Sequence, residues 1–152
     1  MRVRIIFAGT PDIAATVLQT LLESPIEVAA VLTRPDAPVG RRRTLTPSPV
    51  AALAHAHDLP IEATLAKADL GIVVAYGAIL PTETLNLPEH GWINLHVSLL
   101  PAWRGAAPVQ RAIAAGDREL GYSVIGVTPQ LDAGDVYVQR QVEGLAEATA
   151  GE

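Results

Sequence analysis

Cysteine is absent from this chain. That excludes a disulfide framework, a thiol nucleophile and any metal site built on thiolates. Also missing is an apolar run long enough for a signal peptide or a membrane span. The opening Met1-Arg2-Val3-Arg4-Ile5-Ile6-Phe7 is too short for either and reads as a first strand. A soluble, cytoplasmic protein is the expectation. Nor is there an excess of positive charge. Eleven Lys and Arg against sixteen Asp and Glu leave a formal net charge of -5, so no global attraction to nucleic acid follows. The generic nucleotide signatures are missing too. The first turn, Ala8-Gly9-Thr10-Pro11-Asp12, has one glycine where a dinucleotide fold needs G-x-G-x-x-G, and no G-x-x-x-x-G-K run occurs.

What is present is an alternation of strand-like and helix-like segments. With 152 residues, 49% of them hydrophobic, the chain is most simply one domain with a sizeable core. Residues 2 to 8 read as a strand. Thr10 is placed to cap a helix that has Pro11 at its first position and Ile13, Val17 and Leu21 on its apolar face, with Leu18 and Leu22 beside them. Glu27 to Thr33 reads as a second strand, and Arg34 to Pro47 as a Pro/Gly/Arg loop. Ser48-Pro49 repeats the capping logic ahead of Val50 and Leu53. Leu70 to Ala75 has the continuous apolar character of a strand buried on both faces. A further strand, Trp92 to Val97, precedes a helix from Pro108 to Ala115, and strands near Tyr122–Val127 and Val136–Gln141 follow. This order predicts an α/β fold with a Rossmann-like, mostly parallel sheet flanked by helices, and ligands beyond the carboxyl ends of its strands. Between Ile61 and Leu70 the plan is too tight, because a parallel crossover needs a dozen or more residues. Either those two strands are not parallel neighbours, or a helix is missing there.

Trp92-Ile93-Asn94-Leu95-His96-Val97 carries the chemistry. Along a strand, Asn94 and His96 share one face and Ile93, Leu95 and Val97 the other. Two positions span roughly 6–7 Å, so an amide and an imidazole can reach one reacting atom. A stiff loop, Ser98-Leu99-Leu100-Pro101-Ala102-Trp103-Arg104-Gly105-Ala106-Ala107-Pro108, follows directly. A second cluster, Leu131-Asp132-Ala133-Gly134-Asp135, sets two carboxylates around a glycine; alone, it reads as a solvated turn. Arg34, Arg41, Arg42 and Arg43 gather four of the eleven basic residues in one loop, either a solvated charged loop or a local phosphate-binding surface. No His/Asp/Glu spacing resembles a metal site.

These motifs together resemble a known family. The matching stretches are Phe7 to Asp12, Pro35-Asp36 through Leu45-Thr46-Pro47-Ser48-Pro49-Val50, Val73 to Pro81, Asn94 to Pro108, and Leu131 to Asp135. They resemble the amino-terminal catalytic domain of the methionyl-tRNA formyltransferase family and, more broadly, the folate-dependent formyltransferases. Asn-x-His-x-Ser-Leu-Leu-Pro marks the superfamily. Trp-Arg-Gly-Ala-Ala-Pro and Leu-Thr-Pro-Ser-Pro-Val point to the tRNA-acting branch. Val97 stands where the family usually has glycine, and Ala102 where an arginine is expected.

The resemblance implies transfer of a formyl group from formyl-tetrahydrofolate to the amino group of methionyl initiator tRNA. Asn94 and protonated His96 would stabilise the tetrahedral oxyanion, and Asp132 takes the place of the family's catalytic aspartate. No metal and no covalent nucleophile are implied. Folate would be held by Tyr76, Gly77, Ile79, Leu80 and Pro81 and by Ser98, Leu99, Leu100 and Pro101. The acceptor end of the tRNA would meet Arg41, Arg42 and Arg43. The resemblance makes residues 1–152 an incomplete catalytic domain, lacks the family's carboxy-terminal tRNA-binding barrel, and implies a monomer. Two other readings stay open. One keeps the chemistry but changes the acceptor to glycinamide ribonucleotide, a nucleotide sugar or water. The other is a non-catalytic α/β binding module.

Overall fold

The computed structural model describes residues 2–62, 67–142 and 149–151, which fall into two compact units, Met1–Trp92 and Ile93–Glu152. In the first unit the elements are β1 (Arg4–Gly9), α1 (Asp12–Leu22), β2 (Glu27–Leu32), β3 (Ala37–Val39), β4 (Thr44–Thr46), α2 (Pro49–Ala56), β5 (Leu70–Val74) and α3 (Thr82–Leu85). β6 (Trp92–His96) begins at its end. The second unit carries the rest of β6, then α4 (Pro108–Ala114), β7 (Leu120–Gly126) and β8 (Val136–Val142). Among the described residues no helix is long and apolar enough to cross a membrane.

In the first unit β1 lies between β2 and β5, parallel to both, as the strand-helix alternation predicts. Ile5, Ile6, Phe7 and Ala8 are completely buried, so β1 has no polar face. β5 is less buried than its sequence suggests: only Gly71 and Val74 are inside, and the strand stops at Ala75, which adopts a left-handed backbone (φ 45°). Gly71 cannot be enlarged, because a Cβ there would lie in the indole ring of Trp92. Trp92 is itself buried among Ile6, Ala8, Ala30, Ala68 and Leu80, and its Nε1 donates to the Thr84 carbonyl at 3.2 Å.

Three local expectations change. Thr10 does not cap α1. The helix begins after Pro11 without a side-chain cap, and the Thr10 hydroxyl donates instead to the Tyr76 carbonyl at 2.8 Å. The buried stripe of α1 runs through Ala14 and Leu18, and Ile13 is left exposed. The reason is close approach: a Cβ on Gly9 would already meet the Ala14 Cβ, so only a small residue fits at that point of the helix. The Arg34–Pro47 loop contains an antiparallel hairpin, with Ala37 opposite Thr46 and Val39 opposite Thr44.

The tight stretch before β5 resolves through the first alternative. Ile61 bridges Val31 of β2, whereas β5 pairs with β1, so the two segments are not neighbours. Residues 63–66 of that stretch lie outside the described residues.

Ser48 caps α2 as read. Its Oγ accepts the Ala51 N–H at 3.0 Å and shares a 2.6 Å bond with the Thr33 hydroxyl, and Pro49 opens the helix. Ser48→Ala is expected to cost about 1 kcal/mol, read as a lower denaturant midpoint at unchanged slope. An unaltered midpoint would show that the cap contributes nothing.

Among the described residues of the second unit the strand pairings are antiparallel. Ile93 faces Gly126 and His96 faces Ser123 between β6 and β7, and Ser123 faces Gln139 between β7 and β8. A helix separates β6 from β7, which suggests a parallel crossover in the sequence. The seven-residue α4 spans only about 10 Å, however, and the chain re-enters at the end of β6 where it left.

Candidate active site

Asn94 and His96 emerge on one face of β6, two residues apart, as the alternation requires. Asp132 comes from the loop between β7 and β8, 38 residues beyond Asn94, and closes on both. The Asn94 Nδ2 donates to Asp132 Oδ1 at 3.4 Å, and His96 Nδ1 lies 3.6 Å from Asp132 Oδ2. The same Oδ2 accepts the Gly105 N–H at 2.7 Å. Both partners are nearly sealed from solvent, with side-chain exposures of 7% for His96 and 8% for Asp132. His96 Nε2 stands 3.0 Å from the Trp103 carbonyl. One ring nitrogen therefore faces a carbonyl and the other a carboxylate.

The two loops that supply these partners are held in uncommon conformations. Trp103, Ala107 and Asp132 all adopt left-handed backbones, at φ 59°, 51° and 49°. Such non-glycine residues store roughly 1–3 kcal/mol each and persist where surrounding contacts over-determine them. Here the contacts are visible. Trp103 Nε1 donates to Asp117 at 2.6 Å, Arg111 stacks over the Trp103 ring at 5.3 Å, and Arg111 Nη1 donates to the Arg104 carbonyl at 2.8 Å. The glycine of the Asp132–Asp135 cluster has a packing reason as well. A Cβ on Gly134 would strike the Gly126 carbonyl, and the Gly126 N–H donates to the Asp135 carbonyl at 3.0 Å.

Ser98 to Pro101 form the turn directly after His96. Ser98 is buried and donates to the Ala102 carbonyl at 2.6 Å. That bond uses only backbone at position 102, so Ala102 serves it as well as any residue. Beside the turn lies a cavity of about 340 Å³, bordered by Val97, Ser98, Leu99, Trp103, Leu120 and Gly121. Leu100 is buried against the unit. Motif reading missed Ser123 and Gln139, which hydrogen-bond to this turn; their only signal is register, opposite one another and in line with His96.

In the first unit, Tyr76 to Pro81 follow β5. Gly77 is left-handed (φ 78°) and its carbonyl accepts from Arg34 Nη1 at 2.7 Å. Leu80 is buried, whereas Ile79 is 94% exposed. Arg41, Arg42 and Arg43 are exposed at the tip of the β3–β4 hairpin, where the Arg43 N–H donates to the Gly40 carbonyl at 3.1 Å. Arg34 is not at that tip but at its base.

A buried imidazole–carboxylate pair thus stands beside a carboxamide, in a chain whose α/β Rossmann-like architecture is that of the formyltransferase fold. The chain belongs to the formyl transferase family, whose model matches residues 1–152. It is 52% identical over 163 aligned positions to the methionyl-tRNA formyltransferase of Cutibacterium acnes, which covers 98% of this chain and 52% of that protein. The Pseudomonas putida F1 protein of the same name is 50% identical, over 97% of this chain and 52% of its own length. The chain thus spans about half the length of these curated relatives. The 163 aligned positions exceed the 152 residues present, so the first relative carries residues without a counterpart here. Among solved structures, phosphoribosylglycinamide formyltransferase from Bacillus halodurans superposes with a TM-score of 0.74 at 19% identity, over 96% of this chain and 82% of that one. At that identity the likeness speaks for the fold alone.

Proposed function

We propose that this chain carries the catalytic part of a cytoplasmic enzyme that transfers a formyl group from formyl-tetrahydrofolate to the amino group of methionyl initiator tRNA. The observation that carries the reading is the convergence of Asn94, His96 and Asp132 within 3.4–3.6 Å contacts. The identity of about one half to proteins of that name supports the choice of acceptor.

In this reading the methionyl amine attacks the formyl carbon, and the formyl oxygen becomes an oxyanion. The Asn94 amide and the His96 Nε2–H donate to it, the latter exchanging its bond to the Trp103 carbonyl for one to the substrate. The carbon–nitrogen bond to folate then breaks. The proton shed by the attacking amine passes to the departing folate nitrogen, with the His96–Asp132 pair as its carrier. The folate is assigned to the Ser98–Pro101 turn, whose leucines and proline offer apolar walls with backbone donors and acceptors at their edges.

The test is a formyl-transfer assay that compares charged initiator tRNA with glycinamide ribonucleotide. Preferential formylation of the tRNA is expected, and preference for the ribonucleotide would reject the reading.

Arg41 is assigned to tRNA phosphate. Arg41→Ala should weaken tRNA binding at low salt and reduce the salt slope by about one counterion, leaving folate affinity unchanged. The check is a set of tRNA binding isotherms between low and moderate salt. A parallel loss of folate affinity would mean that the hairpin does not act on tRNA alone.

A further inference from the structure

We infer that Ser123 and Gln139 are positioning residues that set the Ser98–Pro101 turn, and through it the placement of the folate co-substrate. The folate clause rests on the function proposed above. The geometry does not.

Ser123 is completely buried on β7. Its Oγ accepts the Leu100 N–H at 3.1 Å and donates to the Ser98 carbonyl at 2.8 Å. Gln139, across the ladder on β8, places its Nε2 2.9 Å from the same Oγ and 2.9 Å from the Leu100 carbonyl. The hydroxyl thus uses its one hydrogen and both acceptor positions, which leaves no capacity for any other partner. Both polar groups of Leu100, its N–H and its C=O, are held by side chains from two strands.

The turn has little means of holding itself. Pro101 has no N–H, and within the turn the bonds are those of Ser98 Oγ and the Ala102 N–H, which donates to the Leu99 carbonyl at 3.1 Å. Its placement relative to the sheet is therefore set by Ser123 and Gln139. These two stand in one transverse row with His96, since His96 faces Ser123 and Ser123 faces Gln139. Directly opposed residues share a face. The strand that carries the imidazole and the turn that follows it are referenced to the same row.

A wall of a binding slot that shifts weakens ground-state and transition-state binding alike, which raises KM at constant kcat. Ser123→Ala should therefore raise the folate KM about tenfold and leave kcat within about twofold. Ser123→Thr, which keeps the hydroxyl, should restore it. Gln139 is exposed, so Gln139→Glu is the variant least able to disturb folding. It keeps the shape, removes the Nε2 donor and should raise the folate KM in the same direction.

Amide hydrogen exchange at Leu100 should accelerate in both Ser123→Ala and Gln139→Glu, and tetrahydrofolate titrated against the same proteins should bind more weakly. Unchanged Leu100 exchange, or a fall in kcat with folate KM unmoved, would overturn the inference. A wild-type protein that transfers no formyl group to tRNA would overturn the functional reading alone, because exchange and titration are read without turnover.

Discussion

Replacing His96 or Asn94 by alanine is expected to lower kcat by roughly a hundredfold or more, with folate affinity nearly unchanged. In the proposed mechanism both side chains meet the formyl oxygen as it gains charge, so their hydrogen bonds would strengthen between ground state and transition state. Removing either subtracts an interaction from the barrier and little from binding. His96 is also buried, so its loss leaves a small void, and circular dichroism should confirm a folded variant before rates are compared. Single-turnover formylation of charged initiator tRNA is the measurement. A rate within a few-fold of wild type in either variant would remove that residue from the chemistry.

The second large effect belongs to Asp132→Asn. The carboxylate accepts from Asn94 on Oδ1 and from the Gly105 N–H on Oδ2, and the His96 ring lies 3.6 Å from Oδ2. An asparagine offers one acceptor oxygen and one donor nitrogen. If the nitrogen replaces Oδ1, it confronts the Asn94 amide donor. If it replaces Oδ2, it confronts the Gly105 N–H and His96. Either way a partly buried donor loses its acceptor, at a cost of up to about 1–3 kcal/mol. We expect turnover to fall roughly tenfold to a hundredfold and thermal stability to drop with it. Stability equal to wild type would mean that the three contacts do not depend on the charge of Asp132.

The pair on β6 was legible from the chain alone, because strand alternation places residues two apart on one face whatever the tertiary fold. The Ser48 cap was legible for the same reason: its partner is three residues away. Asp132 was not readable from spacing. It lies 36 residues beyond His96, and only the family resemblance joined it to the pair. Ser123 and Gln139 were invisible because the contact depends on the register of two antiparallel ladders, and neither residue type announces a role. The β3–β4 hairpin escaped because its three-residue strands are fully exposed and contain Pro38, so no buried face imposes an alternation. Thr10 misled for a different reason. A threonine before Pro-Asp satisfies every local rule for a cap, but the Tyr76 carbonyl, just beyond β5, competes for its hydroxyl and wins. The apolar face of α1 shows the same override. Its sequence contains more than one plausible stripe, and the tight approach to Gly9 selects the one built on Ala14.

Gly71 and Trp92 also constrain the history of the gene. Any mutation that enlarges position 71 first drives a Cβ into the indole ring, an overpacking cost of typically 1–3 kcal/mol or more. A mutation that shrinks position 92 first empties the space around Ile6, Ala8 and Leu80 and breaks the bond to Thr84, at roughly 3–5 kcal/mol. Against a total stability of about 5–15 kcal/mol, both orders of substitution pass through a weakened intermediate. The two positions are epistatically joined, and a change at either one favours a compensating change at the other.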